Sequence, residues 1–100
     1  MKTTIEEVGD KIIVTLDGEL DTAAAVGVDN KMTPVYEGKQ KEIVIDCTRL
    51  EYIASSGLRI LLRIQKQAQV NQNHVVLKNL SENNKKVFEL TGFDSIFDFE

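Results

Sequence analysis

The sequence predicts an α/β fold. One domain, residues 1–100, is expected to carry a four- to five-stranded mixed sheet that opens with an antiparallel hairpin and has its helices mainly on one face. Three observations predict it. Short β-branched runs alternate with amphipathic segments, the pattern of strand–helix–strand units with right-handed crossovers and a largely parallel sheet. Two strand-like segments at the start are separated only by Gly9-Asp10, which suits a two-residue hairpin turn. The second of these alternates apolar and polar residues, so one sheet face is better covered than the other.

The elements follow in order. Thr3–Val8 and Lys11–Asp17 form the hairpin, with Ile12, Val14 and Leu16 on one face and Ile13 and Thr15 on the other. Asp21-Thr22-Ala23-Ala24-Ala25 opens a helix that Asp21 or Thr22 caps. Val28, Met32, Val35 and Tyr36 continue its apolar side, Pro34 disturbs its later half, and Gly38 ends it. Glu42-Ile43-Val44-Ile45-Asp46 reads as a central strand covered on both faces, followed by a loop.

Ser56–Asn71 has the strongest helical pattern in the chain. Leu58, Leu61, Leu62, Ile64 and Ala68 form its apolar stripe, and Arg59, Arg63, Lys66 and Gln69 its polar side. His74–Lys78 is a further buried strand. Ser81 caps a third helix that carries Val87 and Leu90 and stops at Gly92. Phe93, Ile96, Phe97 and Phe99 close the chain as a short turn and an edge strand.

Composition excludes several function classes. Twelve basic against 16 acidic residues give a net charge of −4, opposite to what a phosphate-reading domain needs. Lys39/Lys41 and Lys85/Lys86 are scattered pairs, so no nucleic-acid partner is expected. No apolar run approaches the ~20 residues of a membrane span. The opening Met1-Lys2-Thr3-Thr4-Ile5-Glu6-Glu7 lacks the apolar stretch of a secretory signal. A cytoplasmic protein with no direct membrane insertion is expected. One cysteine, Cys47, makes neither an internal disulfide nor a thiolate metal site and reads as a small buried thiol.

The residues do not support an enzyme. Ser55 and Ser56 are potential nucleophiles, but the one histidine, His74, begins another strand, at the opposite end of the sheet. Neither Gly-x-Ser-x-Gly nor a glycine-rich phosphate loop occurs. Glu19, Asp21 and Asp46 could meet at one sheet end. Three carboxylates with no second ligand type read as caps and solvated groups, not as a metal site. No cofactor is expected.

One segment stands apart, running from Asp46 to Arg59. Apolar Leu50, Tyr52 and Ile53 interrupt what reads as a surface loop, so that loop packs down or meets a partner. Ser55-Ser56-Gly57 then opens a helix at the carboxyl end of a central strand. Taken alone, serine there is a helix cap. A serine at a helix start is also where free N–H groups and the dipole receive a phosphate.

Gly18-Glu19-Leu20-Asp21 and Tyr52-Ile53-Ala54-Ser55-Ser56-Gly57-Leu58-Arg59, with Leu90-Thr91-Gly92-Phe93 near the end, resemble the bacterial anti-sigma factor antagonists, which are stand-alone STAS domains. The resemblance implies a STAS-like fold and a protein that binds an anti-sigma factor with serine kinase activity, so releasing a sigma factor. It implies a phosphoacceptor at Ser55, with Ser56 as second choice, and a metal-dependent serine phosphatase that reverses the modification. Many relatives carry an acidic residue just before the serine, where this chain has Ala54.

The partner-binding rim expected of such a module comprises Glu19, Asp21, Thr22, Glu51, Tyr52, Ile53, Ala54, Ser56, Gly57 and Arg59. Arg59 and Arg63 are expected to point outward, where they could pair with an acidic partner. A second reading keeps the fold and makes the chain an accessory subunit of a transporter complex, docked permanently and not switched by phosphorylation. A third is a small enzyme or ligand-binding domain that uses the carboxylates or serines.

Overall fold

The computed structural model describes residues 1–100. Five strands form one sheet in chain order: β1 (Lys2–Val8), β2 (Lys11–Leu20), β3 (Glu42–Ile53), β4 (His74–Lys78) and β5 (Asp98–Phe99). β1 pairs with β2 antiparallel and all later pairs are parallel. The helices are α1 (Thr22–Lys31), α2 (Thr33–Glu37), α3 (Ser55–Asn71) and α4 (Glu82–Thr91), with a turn of 3-10 helix at Phe93–Ser95 before β5.

The strands are added in one direction and joined by crossovers of one hand, so the helices fall on the same side of the sheet. Burial reports this directly. The registered rows Ile12–Ile43–Val75 and Val14–Ile45–Leu77 are buried, whereas Ile13, Thr15, Val44 and Asp46 on the reverse face are only half-buried. The central strand is therefore covered on one face, not on both as its β-branched run predicts. Val76 is the apolar residue of the reverse face that is fully shielded.

One core cluster of 20 buried residues gathers the inner face of the sheet, the helices and Phe97. Phe88 of α4 meets Phe97 and Phe99 edge-on at 5.5 and 5.6 Å, which fastens the end of the chain to the domain.

Three expectations are corrected. The segment expected as a loop after Asp46 is the second half of β3, which stays paired with β2 as far as Leu20 and Ile53. Register shifts between Thr15 and Asp17 and between Gly18 and Glu19 break the alternation, and that disguised the strand. Leu50 and Ile53 are core residues at 4% and 3% exposure.

The helix expected from Asp21 to Gly38 is instead two helices, broken at Met32, with Pro34 in the first turn of α2 where its missing N–H costs least. On α4, Leu90 is 87% exposed, and the buried positions are Asn84 and Phe88, one turn apart.

Candidate functional site: the rim at the carboxyl ends of β2 and β3

β2 and β3 are adjacent, parallel and end together, in register at Leu20 and Ile53. Each then runs straight into a helix, so the N-termini of α1 and α3 come side by side. Asp21 caps α1, its Oδ1 accepting from the Ala24 N–H at 2.8 Å. The carbonyl of Leu20 accepts from the Ala54 N–H at 2.9 Å, tying the start of α3 to the end of β2.

The contact is closest at Gly57. A Cβ there would lie 2.6 Å from Leu20 Cγ and 2.9 Å from the Leu20 carbonyl oxygen, so only glycine lets α3 approach this strand end.

The serines do not cap α3. Ala54 is the N-cap residue, and no side chain accepts from the first-turn N–H groups. Ser55 is the first residue of the helix and is exposed. Ser56 is half-buried, and its hydroxyl lies 3.1 Å from that of Thr22, bridging the two helix starts.

The other rim residues divide by burial. Glu19, Thr22, Glu51 and Arg59 are exposed, as is Tyr52 at 52%. Asp21 and Ala54 are half-buried, while Ile53 and Gly57 are buried and shape the rim from beneath. In register Glu19 faces Tyr52, so the acidic Glu19 and Glu51 flank an exposed aromatic ring.

Asp46 does not join Glu19 and Asp21. It pairs in register with Thr15, lower down the sheet, and accepts from the Thr48 hydroxyl at 2.6 Å, which holds its carboxyl below the usual range. No group of three His, Cys, Asp or Glu side chains is arranged to hold a metal ion. His74 sits at the far end of the sheet from Ser55, in register with Glu42 at the start of β3.

Arg63 is exposed, as expected, but its guanidinium is already engaged within the domain. Its Nη1 donates to Asp29 Oδ2 at 2.7 Å and its guanidinium stacks 4.6 Å from the centre of the Tyr36 ring. Arg59 keeps its outward position.

Residue reasoning missed Asn84, whose Nδ2 donates to the Leu50 carbonyl at 3.2 Å and anchors α4 to the irregular stretch of β3 beneath the rim. A polar residue one turn before Phe88, in phase with the core, was the available signal.

A single-sheet α/β domain with two helix starts converging at one strand end defines a class. The chain belongs to the STAS domain family, whose model matches residues 2–100. BtrV of Bordetella bronchiseptica, whose name assigns it to the anti-sigma factor antagonists, is 34% identical over 97% of this chain and 84% of its own. The anti-sigma-B factor antagonist of Listeria monocytogenes is 30% identical over 91% of this chain and 80% of its own. Among solved structures, the Bacillus cell fate determinant SpoIIAA in its phosphorylated form superposes with a TM-score of 0.76 at 25% identity, over 99% of this chain and 91% of that one. No helix is long and apolar enough to cross a membrane.

Proposed function

We propose that this chain is an anti-sigma factor antagonist that binds an anti-sigma factor carrying serine kinase activity and is switched off by phosphorylation of Ser55. The observation that carries the reading is an exposed hydroxyl on the first residue of α3, beside first-turn N–H groups that no side chain caps. Such N–H groups and the helix dipole stabilise a phosphate within the domain. Ser55 is preferred to Ser56 because it is exposed, whereas the Ser56 hydroxyl is engaged with Thr22.

The contact surface is the exposed rim of Glu19, Thr22, Glu51, Tyr52, Ser55 and Arg59. Tyr52 supplies its apolar anchor, and Asp21, Ile53, Ala54, Ser56 and Gly57 hold it in shape. Phosphate adds about −1.5 to −2 charges to a rim that already carries Glu19 and Glu51. A partner fitted to a neutral hydroxyl must then bury or repel that charge, and ~2.7 kcal/mol is enough to weaken binding about a hundredfold. The domain contributes no catalysis of its own; a metal-dependent phosphatase restores the hydroxyl, and the whole cycle runs in the cytoplasm.

Calorimetric titration of the kinase partner tests the reading. Ser55→Asp is expected to bind about a hundredfold more weakly, while Ser55→Ala binds as wild type and takes up no phosphate from ATP and kinase. Equal binding by Ser55→Asp overturns the switch. Phosphate mapped to Ser56 would move the switch by one residue. Indifference to every Ser55 substitution, with co-purification in a membrane complex, would favour the transporter accessory subunit.

A further inference from the structure

The reverse face of the sheet carries a side-chain cluster that the rim does not use. His74 of β4 stands between two carboxylates on the neighbouring strands: Nδ1 lies 2.9 Å from Glu42 Oε2 of β3, and Nε2 lies 2.7 Å from Asp98 Oδ2 of β5. A neutral imidazole carries one N–H, so whichever tautomer forms, one ring nitrogen presents a lone pair to a carboxylate. Only the imidazolium donates to both.

We propose that His74 is a protonation-dependent clip that fastens the C-terminal strand β5 to β4 and β3. β5 has few other ties. It is two residues long, at the sheet edge, and paired with Val76 and Leu77 of β4, with the Lys85 ammonium 5.9 Å from the Phe99 ring centre. Just beyond it the Glu100 N–H donates to the Leu77 carbonyl at 2.9 Å and the Asn79 N–H to the Glu100 carbonyl at 3.1 Å. Phe97 and Phe99 fasten it on the inner face by their contacts with Phe88. Asp98 is its one side-chain tie on the reverse face.

The surrounding charges are few. Lys11 of β2 pairs in register with Glu42, and Lys41 turns its ammonium to the Gly9 carbonyl at 3.3 Å. Asp46 and Lys78 pair further along β3 and β4. Glu100 follows Asp98 beyond β5, and no helix covers this face. The Asp98 and Glu42 carboxylates, in that order, hold the His74 ring above the ordinary histidine range. The clip is therefore closed below about pH 6.5 and opens as pH rises through the raised value. Opening releases one carboxylate and loosens β5 from the edge of β4.

Hydrogen exchange of the Glu100 and Asn79 amides, corrected for intrinsic rates, tests this between pH 5.5 and 9. Their protection is expected to fall about two- to fivefold as His74 titrates, the scale of an exposed ion pair, while central β3 amides hold constant. In His74→Gln the fall should vanish. In Asp98→Asn the His74 ring should titrate lower than in wild type. Protection that does not change with pH in wild type, the same fall in His74→Gln, or a wild-type His74 midpoint at or below about 6.5 would each overturn the clip.

Discussion

Gly57 and Ala54 set the start of α3 by opposite means. Gly57 is required for what it lacks. Gly57→Ala forces its methyl against the Leu20 carbonyl, a backbone atom that cannot rotate away. It is expected to cost about 1–3 kcal/mol, read from urea unfolding, because a well-packed contact accommodates an extra methyl only by shifting the helix. Ala54 leaves the helix uncapped. Ala54→Asp should supply a cap and raise stability by about 1 kcal/mol in the same assay. The new carboxylate would also compete with a Ser55 phosphate for the same N–H groups. Phosphorylated Ala54→Asp should therefore gain less stability from its phosphate than phosphorylated wild type.

At the scale of elements, two polar anchors hold the helices where the rim needs them. Asp29 of α1 receives both Arg63 of α3 and the Tyr36 hydroxyl of α2, so one carboxylate joins three helices. Burial, and the Asp29 carboxylate beside it, push the Tyr36 phenol well above its ordinary value. The neutral phenol is favoured in the folded state. Its contribution is present below about pH 10 and is lost as pH rises further, since the unfolded chain ionises first. The urea midpoint of wild type should fall above pH 10 more steeply than that of Tyr36→Phe. The second anchor is Asn84. Asn84→Ala leaves the Leu50 carbonyl without its donor in a buried setting, at an expected cost of about 1–3 kcal/mol in thermal or urea unfolding.

For the whole molecule, one sheet face and one core predict one cooperative unit. Cys47 reports on it. Its thiol is 1% exposed within the core cluster, and burial, with a smaller effect from Asp46, pushes its pKa up to about 12. A thiol reagent at pH 8 should modify Cys47 no faster than the domain opens, with the rate tracking global stability across the Gly57→Ala and Asn84→Ala variants. Fast labelling of folded protein would mean that β3 opens by itself.

The antiparallel start, the alternation of strands and helices after it and the buried Cys47 were all legible in the chain. Each rests on local periodicity, turn chemistry or spacing, which neighbouring residues carry among themselves. Tertiary contacts decided the rest. β3 continues through Leu50 to Ile53 because β2 offers it hydrogen bonds across two register shifts, and no window of β3 alone records that partner. Arg63, though exposed, is engaged on the surface because Asp29 and Tyr36 wait on other helices, 34 and 27 residues away in the sequence. Leu90 is exposed because Phe88, one turn after Asn84, sets the phase of α4 against Phe97 and Phe99. Periodicity tells which residues share a face; which face is covered depends on what the rest of the chain brings to it.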